Sequence, residues 1–236
     1  MFVVSNSVIP LPGRRVDVHD LAIELDQPDF VFLISKFLQE QSHFNTRAEP
    51  TSDSLLSNGP TTSLPRFRES VSVYTSAVAT FYAPSDICGT GGMRRERIHA
   101  VPSWRGGAGR YDCAFINTDP TAEGMRGLDV ARVRLFFSFK YNDTFYPCAL
   151  VHWFSRVGES ADEDVGMWIV EPDFDVDGRP KAAVLHLDTF VRAAHLIGIN
   201  GKNFLPKGLS FSDSLNIFRA YYVNKFIDHH SFEIAF

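Results

Sequence analysis

The clearest alternation in the chain runs from Ala131 to Phe139. Ala131, Val133, Leu135, Phe137 and Phe139 take the odd positions, and Arg132, Arg134, Phe136 and Ser138 the even ones. Side chains alternate faces along a strand, so the pattern predicts one buried apolar face opposite a mostly polar, basic one. Asn142-Asp143 comes next, two residues that tolerate positive φ and suit a tight hairpin. Phe145–Phe154 is apolar on both faces apart from His152, which predicts a central return strand. Glu159–Asp164 reads as an acidic loop, Val165–Val170 as a third strand, Asp177-Gly178 as a turn and Ala182–Leu187 as a fourth strand. A helical turn capped by Asp188 is expected before a fifth strand, His195–Ile199.

Five short strands within about 128–199 predict a small, closed barrel of Tudor-like architecture. The expected fold class is mainly β with appended α-helices. Residues 1–44 read as an N-terminal arm and helix, because Phe30, Leu33, Phe37 and Leu38 recur at helical spacing within Pro28–Gln41. Residues 45–66 are expected to be a flexible linker: 15 of the 22 are Pro, Gly, Ser, Thr, Asn or Asp, and such a stretch buries too little apolar surface to offset its ordering entropy. Residues 67–236 form the expected β-rich domain. Within it, the β-branched and aromatic content of Ser70–Ala83 favours strand, and Arg110–Ile116 reads as another. Leu215, Phe218, Tyr222 and Phe226 share one face of a C-terminal helix predicted over about 212–227.

A composition of 44% hydrophobic and 22% charged residues fits a soluble globular chain. No apolar run approaches the roughly 18 residues of a membrane span. Phe2–Ile9 is interrupted by Ser5, Asn6 and Ser7 and lacks a basic leader, so no membrane partner is expected. Cys88, Cys113 and Cys148 are widely spaced, which points to reduced thiols in an intracellular protein. The net charge of −5 conceals an asymmetry. Residues 87–111 carry five arginines and Glu96, a net of +4, whereas residues 159–177 carry eight acids and no Lys or Arg. Each patch acts locally, so the total says little about partners.

The basic segment, with Arg94, Arg95, Arg97, Arg105 and Arg110, is the candidate nucleic-acid-binding site. It comes after the glycine-rich Gly89-Thr90-Gly91-Gly92, and glycines allow backbone to approach a phosphate closely. The plain reading is a flexible turn leading into a solvated basic segment, or one paired internally with the acidic residues 159–177. No Gly-Lys-Ser/Thr is present after it, so this is not a P-loop. Trp104 and Tyr111 lie nearby, placed to stack on bases or to anchor a core. Tyr141, Tyr146, Trp153 and Trp168 are candidates for an aromatic cage around a methylated ammonium group, and otherwise fill the barrel core. Asp112, Asp119, Asp129 and Asp188 are the carboxylates a two-metal nuclease would need to converge, but Asp119 reads as a turn residue and Asp188 as a cap. No catalytic residue, metal ligand or cofactor motif is assigned.

Several segments resemble the C-terminal region of proteins encoded by Plavaka-type transposons of basidiomycete fungi, a CACTA-like group. They are Ser76–Asp86, Gly91–Glu96, Arg110–Cys113, Gly124–Val133, Tyr146–Val151, Gly166–Val170 and His186–Asp188. The resemblance covers roughly residues 70–236. The barrel is similar, more weakly, to bromo-adjacent-homology and Tudor-type modules. The resemblance implies a DNA-transposon origin and a nuclear setting. It implies no working transposase, because the family's catalytic carboxylates belong to a domain upstream of the matching region. The expected function is therefore a non-catalytic accessory module that associates with nucleic acid or with other proteins of a DNA-bound complex. The alternatives are a chromatin reader and a nuclease remnant.

Overall fold

A long hairpin sets the frame. Leu128–Tyr141 and Thr144–Val157, 14 residues each, are joined at Asn142 and Asp143, whose φ angles of 47° and 60° are the left-handed pair a tight hairpin requires. The computed structural model describes residues 14–48, 64–85, 90–201, 204–205 and 207–236. In chain order the helices and strands are β1 (Arg14–Asp17), α1 (Val18–Glu24), α2 (Phe30–Ala48), β2 (Ser70–Tyr74), β3 (Ser76–Tyr82), β4 (Met93–Val101), β5 (Arg110–Tyr111) and β6 (Cys113–Asn117). The hairpin strands are β7 and β8. After them come β9 (Ile169–Pro172), β10 (Ala182–His186), β11 (Phe190–Ala194), β12 (Leu196–Ile199), α3 (Ser214–Ile217), β13 (Ala220–Val223) and α4 (His229–Ile234).

The protein is mainly β. One antiparallel sheet runs β1-β2-β7-β8-β9-β13-β12, with β6 and then β11 beside one end of β7, and β10 beside β8. It curls into a half-barrel. Its two wings, β6-β11 and β9-β13-β12, are joined by the chain itself, since β11 and β12 are separated only by His195. The curl therefore draws on β6 and β13, outside the 128–199 span that the sequence suggests. A second sheet, β3-β4-β5, packs against the first.

The hairpin serves three cores because its pleat is interrupted once. Val133 pairs with Val151 but Leu135 pairs with Leu150, which leaves Arg134 as the extra residue of a bulge. Before the bulge, Ala131 and Val133 face the β3-β4 sheet. After it, Leu135, Phe137 and Phe139 face α1 and α2, while Phe136 takes the side of Ala131. The single apolar face predicted for 131–139 is thus two faces, and the even positions are not solvent-exposed: Phe136 is 0% and Ser138 3% accessible. The third core, with Phe115, Val130, Phe154, Val170 and Tyr221, fills the half-barrel.

The termini depart further from expectation. Helix α2 starts at Phe30 and runs to Ala48, so residues 45–48 of the expected linker are helical, while 49–63 lie outside the described residues. The helical turn after β10 is Leu187–Thr189, capped by His186 rather than Asp188, and Phe190–Ala194 is strand. The third strand begins at Ile169, not Val165. The single helix predicted over 212–227 is broken into α3, β13 and the short turn Lys225–Ile227. Residues Ala220–Val223 alternate in burial, and β9 and β12 offer hydrogen-bonding edges on both sides, so pairing overrides the helical spacing. Gly198 permits this: a Cβ there would lie 2.1 Å from the Phe218 ring.

Phe137 packs edge-on against Phe30 at 5.2 Å and stacks on Phe139 at 6.0 Å. Phe137→Ala is expected to cost about 3–5 kcal/mol in denaturant melts, the range for emptying a large core site.

Candidate nucleic-acid interface

Alternation along β4 divides the predicted arginines. Arg94 and Glu96 share the inner face with buried Ile98 and Ala100, while Arg95, Arg97 and His99 share the outer one. Arg94, Arg97 and Arg110 nevertheless meet at a cleft of about 490 Å³ between β4-β5 and β11-β12, which Tyr111, Asp112 and Arg192 also line. Arg95 and Arg105 lie outside that cleft. The five arginines thus form no single face, and three of them converge.

Arg110 is held in place. Its Nε and Nη2 donate to Asp112 at 2.8 and 3.1 Å, and its guanidinium lies 5.0 Å over Trp104. Asp112 also accepts from the His99 backbone N–H at 2.9 Å and lies 3.0 Å from its Nδ1. Arg105 covers the same tryptophan at 5.5 Å. Trp104 is thus flanked by two cations, the arrangement expected of cation–π contact. The acidic segment takes a different partner: its Asp173 pairs with Lys181 at 2.9 Å.

A second cavity, of about 330 Å³, is separate from the first, and Leu215 lines both. Arg132, Arg134, His152, Phe174 and Asn216 are among its walls. Alternation puts Arg134 and Arg132 on one face of β7, and both guanidiniums lie over Tyr111, at 4.3 and 5.8 Å. Burial and the Arg132 charge push the Arg134 pKa down. Burial, reinforced by Arg134 and Arg132, holds His152 at about 4, so this imidazole is neutral at pH 7. These residues belong to the basic face that reads from sequence as solvated. The signal is there, two arginines at strand spacing, but alternation alone cannot show that a tyrosine from β5 covers them.

Arg192 fastens this region to the C-terminal segment. It is 4% exposed, donates to both Asp228 oxygens at 2.8 and 2.7 Å, and reaches Glu96 at 3.1 Å. Burial disfavours its charge, but Asp228 and Glu96 outweigh that and raise its pKa. Burial likewise works against the Asp228 carboxylate, and Arg192 more than offsets it, holding the acid well below its ordinary range.

The aromatic-cage residues are dispersed. Tyr141 and Tyr146 pack on the helical core, with Tyr146 5.4 Å from Phe139 and 5.8 Å from Phe37. Trp153 packs against the β3-β4 core, and Trp168, 4% exposed, fills the half-barrel. The four rings do not enclose a common space. The carboxylates are separated too. Asp112 is bound to Arg110, Asp119 accepts from Thr121, Asp129 accepts from Thr118, and Asp188 sits beside His186. Among the described residues, no three His, Cys, Asp or Glu side chains form a group able to hold a metal ion. No described helix is long and apolar enough to cross a membrane. No protein-family model, curated protein or solved structure matches the chain.

These charges have measurable effects on stability. Arg192→Ala removes the buried cation that Asp228 and Glu96 share and is expected to lower stability by about 3–5 kcal/mol in chemical melts. His152 binds its proton less readily folded than unfolded. Stability should therefore fall as pH drops from about 6.5 to about 4 and level off below, by a contribution on the order of 1–3 kcal/mol. His152→Gln should flatten that part of a profile of melting temperature against pH.

Proposed function

We propose that the protein is a non-catalytic accessory module that associates with nucleic acid through these two clefts, in a nuclear complex of transposon origin. One observation carries the reading. Arg105 and Arg110 lie over the Trp104 ring, Arg132 and Arg134 from the long hairpin lie over Tyr111, and Arg97 lines the cleft beside that tyrosine. Basic side chains interleaved with aromatic rings suit a phosphate backbone with bases stacked beside it. The resemblance of residues 70–236 to Plavaka-type proteins supports a DNA partner and the nuclear setting.

Backbone contacts release counterions, so log K should fall linearly with log salt. With three to five arginines engaged, the expected slope is about −3 to −4.5 on duplex and about −2 to −3.5 on single strands. Affinity should be micromolar-class and weakly dependent on sequence, because phosphate contacts position without specifying. Arg97→Ala with Arg134→Ala should reduce the duplex slope by about 1.8. Salt titrations of both variant and wild type decide the matter. Absence of binding at low salt, or an unchanged slope in the double variant, rules the reading out.

A further inference from the structure

The second cavity has a charge imbalance that the fold itself leaves uncorrected. Arg132 and Arg134 lie two positions apart on β7, under one tyrosine, and repel each other. Neither has a carboxylate within ion-pairing distance among the described residues. Arg132 is satisfied only in part: one terminal nitrogen donates to Asn216 at 2.6 Å, and its Nε is buried with no partner. His152 adds a neutral imidazole, whose Nε2 is 3.4 Å from Gln27. Asp173, the acid on the cavity wall, is taken by Lys181. Pairing two half-buried cations without a counterion costs solvation and adds repulsion, and an anion from outside would relieve both.

The rest of the lining is of another kind. Pro172, Phe174 and Pro180 belong to it, and Phe174 bridges to Pro180 at the base of the turn that holds Gly178. Phe174 is 56% exposed, so its ring is available at the rim. About 330 Å³ is at the small end of ligand pockets, room for one compact group rather than a chain.

We propose that this cavity seats a single nucleotide unit, with the phosphate between Arg132 and Arg134 and the planar base against Phe174. The Asn216 amide supplies an N–H donor beside the phosphate. The seat belongs to the nucleic-acid interface proposed above and specifies it: a base must leave its stack to reach Phe174, so single strands are favoured over duplex. The same chemistry admits a free nucleoside monophosphate.

Isothermal titration at low salt distinguishes these cases, with inorganic phosphate, adenosine, adenosine monophosphate and a ten-nucleotide deoxythymidine strand as probes. The monophosphate should bind at least about tenfold more tightly than phosphate or adenosine alone, because both walls are then occupied. Phe174→Ala, an exposed position that folding does not depend on, should reduce the monophosphate to the affinity of phosphate and leave phosphate unchanged. Arg132→Met with Arg134→Met should abolish binding of both, with melting temperature checked alongside. A wild type that binds neither phosphate nor the monophosphate, or a Phe174→Ala variant that keeps the wild-type preference, overturns the seat. If the oligonucleotide still binds in that event, the wider interface stands without it. If the monophosphate binds and the oligonucleotide does not, the seat stands as a free-nucleotide site and the nucleic-acid reading falls.

Discussion

Everything in this fold depends on one break in the pleat of β7. A 14-residue strand with unbroken alternation would offer one apolar face to one partner layer. The extra residue at Arg134 rotates the remainder of the strand, so β7 supplies the β3-β4 core with Val133 and the helical core with Leu135, Phe137 and Phe139. Arg132 and Arg134, two positions apart, share a face under Tyr111. A β7 without the bulge would lose the division between the cores.

The basic surface is composite. Its arginines come from β4, the loop after it, β5 and β7, and rings lie against them: Trp104 beside Arg105 and Arg110, Tyr111 beside Arg132 and Arg134. The rings partly replace the water that the guanidiniums give up, without neutralising their charge as carboxylates would. Arg110 is the exception, since Asp112 neutralises it while fixing its direction.

Much of this is legible from the residues, and the failures have physical reasons. The hairpin, its Asn142-Asp143 turn and the strand character of 70–83 can be read because each rests on local preference. The bulge cannot, because Arg134 breaks no local rule, and only the pairing of Val133 and Leu135 with neighbouring positions of β8 reveals it. The C-terminal helix fails for the same kind of reason. Leu215, Phe218, Tyr222 and Phe226 do have helical spacing, but the edges of β9 and β12 compete for Ala220–Val223, and nothing local announces them. Of the basic residues, spacing locates Arg97 and Arg110. It undervalues Arg132 and Arg134, whose importance comes from a ring contributed by another strand.

Glu96 holds Arg192, and its other oxygen accepts from the Ala193 backbone N–H on β11. That donor lies on a strand whose hydrogen-bonded partner is β6 alone, so it would otherwise stand free at an edge. An unpaired edge donor is a template for a strand from another molecule. The carboxylate occupies it, and does so as part of the ion network that also ties down the C-terminal segment. One acidic side chain thereby guards the seam of the half-barrel against self-association, and its loss would show first as a tendency to aggregate.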